Sequence, residues 1–464
     1  MSNRITFPQD FNWGVATTAI QIEGGLDDGG RGPSMWPDFA RTPGNIYHDD
    51  TPAGSAASYH NLQRDLDALE RLGVTSYNFS TSWPRLIPEG AGRVNQKGVD
   101  YYNRLIDGLL ERGIDPDLSL YDWDLPLKYS QNEGWGKRDL TDRFNDYVDV
   151  LIRNYGDRVT KWMTFNEIST QAKNGYKQGN HAPGYQDNQL FLRAYHHLMV
   201  AHGRAVQMIR EQVDGAEITV VDNLLQYYPK TMTAADRNAA ARQQMTNDYF
   251  LLEALFNGRL HQPFVDHYEQ QQGCNFDHIH PGDLAQINQK FDQFGVNYFT
   301  SFSAADDPKQ PGKAELVSAS PGPQSPFGWT IDPVGMLDAL RDLKRKYTKD
   351  LPIFVGECGI GGFDYPSPDG AVHDPKRIKF LYQHLEQLHV AMQEGIEITG
   401  FYIWSLMDNF EWDNGYNKRM GLYYTQYNRP EEYLIKDSGK WFAELIRTGE
   451  LRDIQLSERT EQGE

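Results

Sequence analysis

Cysteine and long apolar runs are scarce in this chain of 464 residues, and their scarcity excludes several classes of protein. The two cysteines, Cys274 and Cys358, cannot build a disulfide framework, and no CxxC pair is present to bind zinc. No apolar run approaches the ~18 residues of a membrane span, and the first residues lack the apolar segment of a signal peptide. We therefore expect a cytoplasmic protein in a reducing compartment.

Basic charge is also scarce. The chain has 45 Lys and Arg against 64 Asp and Glu, which gives a formal net charge of −19 at pH 7. A negative surface repels phosphate groups, which argues against a nucleic-acid partner and against docking on an anionic membrane. These absences leave a small molecule as the expected partner and leave the oligomeric state open.

Metal and cofactor motifs are weak. Two histidine groups have a metal-like spacing, but no third and fourth ligand accompanies either, so packed or surface histidines and no metal site are favoured. Gly359–Gly362 falls short of a dinucleotide fingerprint because Asp364 occupies the position of its last glycine. We expect no cofactor. The two histidine groups are Asp277, His278 and His280, and His196, His197 and His202.

Strand-like runs alternate with amphipathic helical segments along the whole chain. Neither a linker nor an internal repeat separates them. Each run is rich in β-branched or aromatic residues, and the eight runs are 11–17, 74–83, 114–123, 159–167, 217–224, 294–300, 352–359 and 398–406.

The segments between these runs have helical periodicity with defined ends. Leucines at 62, 66, 69 and 72 form one stripe that stops at Gly73, and Asp332 and Asp374 each precede a proline as expected N-cap residues. Alternating strands and helices imply parallel pairing. We therefore predict an α/β protein, a single (β/α)8 TIM barrel domain over residues 1–464 with long βα loops. An open, doubly wound sheet in two domains is the alternative.

The ends of these strands are polar and aromatic, which is unusual for strands that fill a barrel core. In a barrel the chemistry lies at the carboxyl ends of the strands. Two glutamates, Glu167 and Glu357, end strands four and seven, and tryptophans end several others. Cleavage of a glycosidic bond needs one carboxylic acid to protonate the leaving oxygen and one carboxylate facing the anomeric carbon. A single glutamate at such a position is more often a salt-bridged barrel residue, but the joint pattern favours a glycosidase.

At these motifs the sequence resembles the β-glucosidase family of retaining glycoside hydrolases, glycoside hydrolase family 1. The resemblance covers nearly the whole chain, and its first and last blocks are long enough to be specific. The matching blocks are Phe-Asn-Trp-Gly-Val-Ala-Thr-Thr-Ala-Ile-Gln-Ile-Glu-Gly at 11–24, Thr-Phe-Asn-Glu at 164–167, Phe-Tyr-Ile-Trp-Ser-Leu-Met-Asp-Asn-Phe-Glu-Trp at 401–412 and Gly-Tyr-Asn-Lys-Arg-Met-Gly at 415–421.

The resemblance implies a role for each matching position. Glu167, which follows Asn166, matches the acid/base and Glu357 the nucleophile, while Arg85 and Tyr298 match residues that hold the nucleophile ionised and oriented. An arginine beside Glu357 would depress its pKa, whereas the second carboxylate would keep Glu167 protonated. The residues that match the sugar pocket are Gln21, Trp123, Asn166, Trp404, Glu411 and Trp412.

Glu411 and Glu167 narrow the class of substrate that the sequence predicts. A carboxylate at Glu411 would repel the phosphate of a 6-phosphoglycoside and accept hydrogen bonds from sugar hydroxyls, so unphosphorylated sugars are favoured. Glu167 separates the chain from the thioglycosidase branch of the family, which has glutamine there.

Four positions depart from the family pattern. Asp122 replaces the usual histidine, Ile168 a proline, Cys358 an asparagine and Gly356 a threonine. An ionised Asp122 can only accept hydrogen bonds, so plain glucosides are expected to bind more weakly and an amino-substituted sugar better. Alternatively, Asp122 turns away to pair with a basic side chain or a water fills the gap.

The sequence therefore predicts an O-glycosyl hydrolase, a retaining exo-β-glycosidase that releases a terminal glucose-like residue from a small glycoside or oligosaccharide. A second reading keeps the mechanism but changes the sugar to galactose, fucose or a modified pyranose. A third is a weakly active or silent sugar-binding relative, against which the presence of both Glu167 and Glu357 argues.

Overall fold

The fold is a closed barrel of eight parallel strands, seen in a computed structural model that describes residues 5–312 and 315–452. Each strand pairs with the next, and the eighth pairs with the first. The predicted (β/α)8 barrel is confirmed, and the open doubly wound sheet is excluded. The strands are β1 Asn12–Thr17, β2 Ser76–Ser80, β3 Asp115–Ser119, β4 Lys161–Asn166, β5 Glu217–Asn223, β6 Gln293–Asn297, β7 Ile353–Cys358 and β8 Ile398–Trp404.

A helix of the outer layer follows each strand. The predicted leucine stripe of α1 packs inward, with Leu66, Leu69 and Leu72 buried, and α1 ends at Gly73 in the left-handed conformation that glycine adopts without strain. The eight helices are α1 Leu62–Leu72, α2 Gln96–Leu110, α3 Leu140–Tyr155, α4 Asn188–Gln212, α5 Phe250–Asn257, α6 Pro333–Leu343, α7 Pro375–Gln393 and α8 Asp437–Thr448. None of the described helices is both long and apolar enough to cross a bilayer.

Several strands end earlier than their sequence runs predict. β2 stops at Ser80, and Trp83–Leu86 forms a short helix beyond it. β3 stops at Ser119, and Trp123 adopts a left-handed backbone conformation with φ of 57°. The polar and aromatic ends of the runs leave the sheet and turn over the mouth of the barrel, where the sequence analysis expected chemistry.

The two expected N-cap aspartates behave differently. Asp332 caps α6 as predicted, since its carboxylate accepts a hydrogen bond from the Gly335 amide at 3.0 Å. Asp374 stands at the start of α7 without capping it, which corrects the prediction. Its carboxylate instead pairs with Arg377 and accepts a hydrogen bond from the Ser438 amide at 2.8 Å. A buried guanidinium competes more strongly for a carboxylate than a helix amide does.

The long βα loops contain structure of their own. After β4 the chain forms a short helix, Ile168–Ala172, which continues as a π-helix over Lys173–Gln178. A three-stranded sheet lies outside the barrel and consists of Gln226–Pro229, Ser301–Asp306 and Glu315–Ala319. The remaining short helices are Ala19–Ile22, Met35–Ala40, Tyr47–Asp49, Pro52–Gly54, Leu127–Ser130, Gly134–Gly136, Ala234–Gln244, Met245–Tyr249, Gln262–Gln272, Asp283–Ile287, Lys344–Thr348 and Trp412–Asn414. The remaining strands are Ile5–Thr6, Tyr423–Thr425, Tyr433–Ile435 and Glu450–Leu451.

Candidate active site

A cavity of about 450 Å³ opens at the carboxyl end of the barrel. Both polar and aromatic side chains line it, and they come from the ends of several strands and from the loops that follow. Seven of the sequence-predicted site residues lie in its wall: Trp123, Asn166, Glu167, Glu357, Trp404, Glu411 and Trp412. A concave site of this size suits a small ligand.

Glu167 lies directly after β4 and precedes the short helix at Ile168. It is buried, and its backbone is left-handed with φ of 52°. The carboxylate accepts a hydrogen bond from Asn297 Nδ2 at 2.8 Å. Burial raises the pKa of Glu167 to about 6, although hydrogen bonds from Asn297, Thr170 and Asn223 oppose the shift. Glu167 therefore has the environment of a carboxyl that can hold a proton near neutral pH.

Glu357 lies in β7 and is also buried. Asn166 Nδ2 donates to its Oε1 at 2.9 Å. Burial, followed by the negative charges of Glu167, Asp122 and Glu411, raises the pKa of Glu357 well above its usual value. The hydrogen bond from Asn166 favours its ionised form and opposes this shift.

Two carboxamides connect the glutamates. Asn297, the last residue of β6, donates through Nδ2 to Asn166 Oδ1 at 3.0 Å as well as to Glu167. Asn166 in turn donates to Glu357 and, at 3.3 Å, to Asp122 Oδ2. The chain of amides fixes the orientation of both glutamates relative to each other. Sequence reasoning missed Asn297, although a polar residue at the carboxyl end of a barrel strand was a usable signal.

Arg85 lies away from Glu357, contrary to the expectation from the family resemblance. It is fully buried, and its Nε donates to Glu23 Oε2 at 2.7 Å, while its Nη2 donates to the Gly24 carbonyl at 3.2 Å. Its guanidinium also stacks over the Tyr59 ring at 4.0 Å. Because Glu23 neutralises it, Arg85 does not offset the charge of Glu357.

We expect Arg85→Met to destabilise the protein strongly while leaving the acid limb of its pH–rate profile in place. Removing one partner of a buried ion pair strands the other charge, at a cost of about 3–5 kcal/mol. Chemical denaturation measures this loss, and adding Glu23→Gln in the same chain should recover part of it. An acid limb that moves upward without a loss of stability would show that Arg85 acts on Glu357 after all.

Tyr298 is also turned away from the cavity. Its hydroxyl donates to the Asp332 carbonyl at 2.9 Å and its ring faces His384, while only its backbone amide reaches Glu357, at the carbonyl oxygen. The next residue, Phe299, lines the cavity and has no hydroxyl to offer. Side chains of successive residues in an extended chain point to opposite sides. The sequence alone did not show whether the side chain of Tyr298 or that of Phe299 faces the cavity.

Asp122 lies behind the cavity wall and remains close to the glutamates. Its Oδ2 accepts hydrogen bonds from Thr18 Oγ1 at 2.6 Å and from Asn166, and both donors line the cavity. Within the described residues Asp122 forms no ion pair, so the alternative of a basic partner is not realised. Burial, with a smaller contribution from Glu167, raises the pKa of Asp122 to about 7.

Tryptophans form one side of the cavity. Trp123 stacks on Trp412 with ring centroids 4.8 Å apart, and Trp36 packs behind Trp412 at 4.5 Å. Trp123 and Trp412 have left-handed backbones, with φ of 57° and 49°, as Glu167 does. Such conformations cost about 1–3 kcal/mol each and concentrate at functional sites, where the surrounding structure enforces them.

The loop after β8 presents Glu411 to the cavity. Gln21 Nε2 holds this loop by donating to the Phe410 carbonyl at 2.7 Å, and Trp404 Nε1 donates to Glu411 at 3.4 Å. Burial, with the charges of Asp413 and Glu167, raises the pKa of Glu411 to about 8.

A buried ionic cluster anchors the same loop. Asp408, three residues before Glu411, accepts from Lys436 Nζ at 2.6 Å and pairs with Arg419 at 2.8 Å. Lys436 also pairs with Asp364, which follows β7. The cluster therefore ties the segments after β7 and β8 together and holds Glu411 beside the two central glutamates.

The other departures from the family pattern are packed rather than exposed to the cavity. Ile168 and Cys358 are fully buried in the core, and burial raises the pKa of the Cys358 thiol. At Gly356 an added Cβ would lie 2.9 Å from Asn297 Oδ1, so a larger residue would disturb the amide that contacts Glu167.

Two buried glutamates on separate barrel strands, joined by amides and walled by tryptophans, define a barrel enzyme that cleaves glycosides. The sequence profile of glycosyl hydrolase family 1 matches residues 3–451. The chain is 39% identical over 448 residues to β-glucosidase A of Thermotoga maritima, covering 96% of this chain and 99% of that protein. The chain belongs to glycosyl hydrolase family 1 and is an O-glycosyl hydrolase.

A second relative and a solved structure show the same likeness. A bifunctional β-D-glucosidase/β-D-fucosidase of Bifidobacterium breve is 36% identical over 95% of this chain and 98% of its own length. The solved family 1 β-glucosidase of Thermotoga maritima has a TM-score of 0.93 at 38% identity, covering 97% of this chain and all of that chain.

Proposed function

We propose that this protein is a retaining exo-β-glycosidase that releases a terminal glucose-like residue from small glycosides. The placement of Glu167 and Glu357 in one cavity, linked through Asn166 and Asn297, carries the proposal. The family and its β-glucosidase members support the reaction type. A retaining mechanism further requires the two carboxyl groups to lie ~5–5.5 Å apart across the anomeric carbon.

The reaction proceeds in two displacements. In the first, a Glu357 oxygen bonds to the anomeric carbon as the bond from that carbon to the leaving oxygen breaks. The leaving oxygen takes the proton of Glu167. In the second, a water oxygen bonds to the same carbon, its proton passes to the Glu167 carboxylate, and the ester bond to Glu357 breaks. Both carboxyl groups return to their starting protonation states, and the sugar keeps its β configuration.

The pocket residues set which sugar is bound. Glu411, on the loop that Gln21 holds, places an acceptor for hydroxyl groups, and Trp404 and Trp123 supply flat apolar faces for the C–H faces of a pyranose. A carboxylate at 411 disfavours a phosphorylated sugar. A fucose-like sugar is the second candidate, since the Bifidobacterium breve relative is described as acting on both glucosides and fucosides.

Labelling with a 2-deoxy-2-fluoro β-glucoside that has an activated leaving group tests the mechanism. The fluorine slows both displacements, and the good leaving group lets the first one proceed, so the glycosyl-enzyme should accumulate. Intact mass should rise by one fluoroglycosyl group, and peptide mapping should locate it on Glu357. A first-formed α-anomer in the proton NMR spectrum of the normal reaction would show inversion and overturn the proposal.

We expect the acid limb of the kcat/KM profile for a neutral glucoside to lie well above the usual range of carboxyl groups. Glu357 must be ionised to attack, and burial with the facing charges of Glu167, Asp122 and Glu411 raises its pKa. Activity is therefore lost as the pH falls through this raised value. Asp122→Asn removes one facing charge and should shift the limb downward, whereas an unmoved limb would show that Asp122 does not act on Glu357.

We expect the chain to form a single catalytic domain, and we expect the protein to act in the cytoplasm. Both cysteines are free thiols, and Cys358 is buried in the barrel, as suits a reducing compartment. Cell fractionation with detection of the intact chain would test the location.

A further inference from the structure

Four carboxylates share the inner end of the cavity without a counter-charge. Glu167, Glu357 and Glu411 line it, and Asp122 lies behind Thr18 and Asn166. All four side chains are buried. Within residues 5–312 and 315–452 none of them forms an ion pair, and their hydrogen-bond donors are amides, hydroxyls and an indole.

The basic side chains around the cavity contact other groups, and His181, in the cavity wall, lies 3.8 Å from the Asp413 carboxyl. Arg85 is paired with Glu23. Lys173, in the cavity wall, donates to Asn247 Oδ1 at 2.5 Å. Lys418 donates to Asn414 Oδ1 at 2.6 Å and lies over the Phe327 ring at 4.9 Å, and it affects Glu411 only through space. Across the described part of the chain, the protein therefore pairs none of the four carboxyl groups with a basic side chain, and the pKa values of all four are raised.

Asp122 also has an unused acceptor. Its Oδ2 accepts from Thr18 and Asn166, but its Oδ1 has no hydrogen-bond partner in the described structure although it is buried. A buried acceptor without a partner is costly, and more so when it carries charge. A hydroxyl would satisfy the hydrogen bond alone, whereas an ammonium would satisfy the hydrogen bond and offset the charge.

We propose that the preferred glycone is an amino sugar whose ammonium group lies at the ring edge that faces Asp122. The inference rests on the proposed function, because it names the substrate class of the same site. The overall charge of −19 favours the same class, since a negative protein attracts a cationic substrate.

The titration of the two glutamates agrees with a cationic substrate. In the free protein burial raises the pKa of both glutamates, that of Glu167 to about 6 and that of Glu357 well above its usual value. The reaction needs Glu357 ionised and Glu167 protonated, so a positive charge that favours the ionised form of Glu357 would assist it. An ammonium between Asp122 and Glu357 favours the ionised form of both, so the substrate would supply the charge that Arg85 does not.

The position of the ammonium follows from Asn166. The same Nδ2 donates to both Glu357 and Asp122, so the two carboxyl groups lie within reach of one amide. Because Glu357 faces the anomeric carbon in the proposed reaction, we place Asp122 toward the adjoining ring edge, at carbons 2 and 3. An ammonium at carbon 2 would sit next to the positive charge that develops in the oxocarbenium-like transition state and slow its formation. Carbon 3 is one bond farther away, and we expect it to suit turnover better.

Equilibrium binding of free sugars tests the inference without relying on catalysis. Calorimetry at pH 7.5, above the pKa of about 7 of Asp122, would compare glucose with glucose derivatives that carry an amino group at carbon 2, 3 or 6, and with N-acetylated forms that lack the charge. The amine at carbon 3 or 2 should bind about tenfold or more tightly than glucose, as expected for a charge-assisted hydrogen bond in a buried site. The N-acetylated forms should lose this advantage.

Asp122→Asn is the decisive variant, and Glu411→Gln is its matched control. The asparagine keeps the shape of the side chain but removes the charge, so the amine preference should fall to near unity; it should persist in Glu411→Gln. Equal or tighter binding of glucose by the unmodified protein, or an undiminished preference in Asp122→Asn, would overturn the inference.

Turnover of the matching aryl β-glycosides separates the inference from the proposed function. Rapid hydrolysis of the plain glucoside with no preference for an amine would leave the proposed function standing and overturn the inference. A strong amine preference in binding, with no aryl glycoside hydrolysed, would support the inference and defeat the proposed function.

Discussion

Glu357→Ala should lower kcat by several orders of magnitude without unfolding the protein. The carboxylate forms the bond to the anomeric carbon, and a displacement mechanism without its nucleophile has no first step. The folded state should be as stable as before or more so at neutral pH. Burial and like charges raise the pKa of Glu357, so its ionised form weakens the native state above the usual carboxyl pKa. Steady-state kinetics and thermal unfolding would measure the two effects.

Azide should restore turnover of an activated aryl glycoside by Glu357→Ala. The small anion occupies the space of the lost carboxylate and attacks the anomeric carbon from that side, which yields an α-glycosyl azide. Glu357→Gln is the control, because its amide fills the same space and leaves no room for azide. A β-configured azide product, or equal rescue of both variants, would contradict the nucleophile assignment.

Glu167→Gln should have its largest effect on glycosides with poor leaving groups. A phenol of high pKa needs a proton to depart, and removal of a general acid typically costs 10²–10⁴-fold, roughly. A dinitrophenyl glycoside departs without that proton, so its first displacement should be little affected. The alkaline limb of the kcat/KM profile should also disappear, since it reports ionisation of the acid.

The matched control for this prediction is Glu411→Gln. It removes a buried carboxyl group from the same cavity, one that we place on the sugar rather than on the scissile bond. It should weaken hydrolysis of both kinds of glycoside to a similar extent and keep the alkaline limb. Equal losses on good and poor leaving groups in Glu167→Gln would remove the acid/base role from Glu167.

The barrel could be predicted because its pattern is local. Eight β-branched or aromatic runs, separated by helices with inward stripes and glycine ends, appear in the sequence order that the structure has. The candidate glutamates could be predicted because the carboxyl ends of parallel strands meet at one end of a barrel. The functional class followed from the residue types at those ends and from the family resemblance.

The roles assigned to Arg85 and Tyr298 depended on more than local pattern. Arg85 stands in the expected segment, but Glu23 from another loop binds its guanidinium. Tyr298 is one residue from Phe299, and a single step along an extended segment moves a side chain from the cavity to the helix layer. Sequence position alone does not show which partner a long side chain reaches or which way a strand faces.

The sequence by itself determined the barrel, the positions of Glu167 and Glu357 at its carboxyl end, and the presence of Asp122 beside Trp123. These features depend on periodicity and on the order of residues along the chain. Only the tertiary structure decided the charge balance of the cavity. In the folded chain Asn297 donates to Glu167, and Arg85 pairs with Glu23 rather than with Glu357. Asp122 and Glu357 both accept from the side-chain amide of Asn166. The physical reason is that buried charges interact through space with whatever the fold brings within a few ångströms, and those neighbours come from strands far apart in the chain.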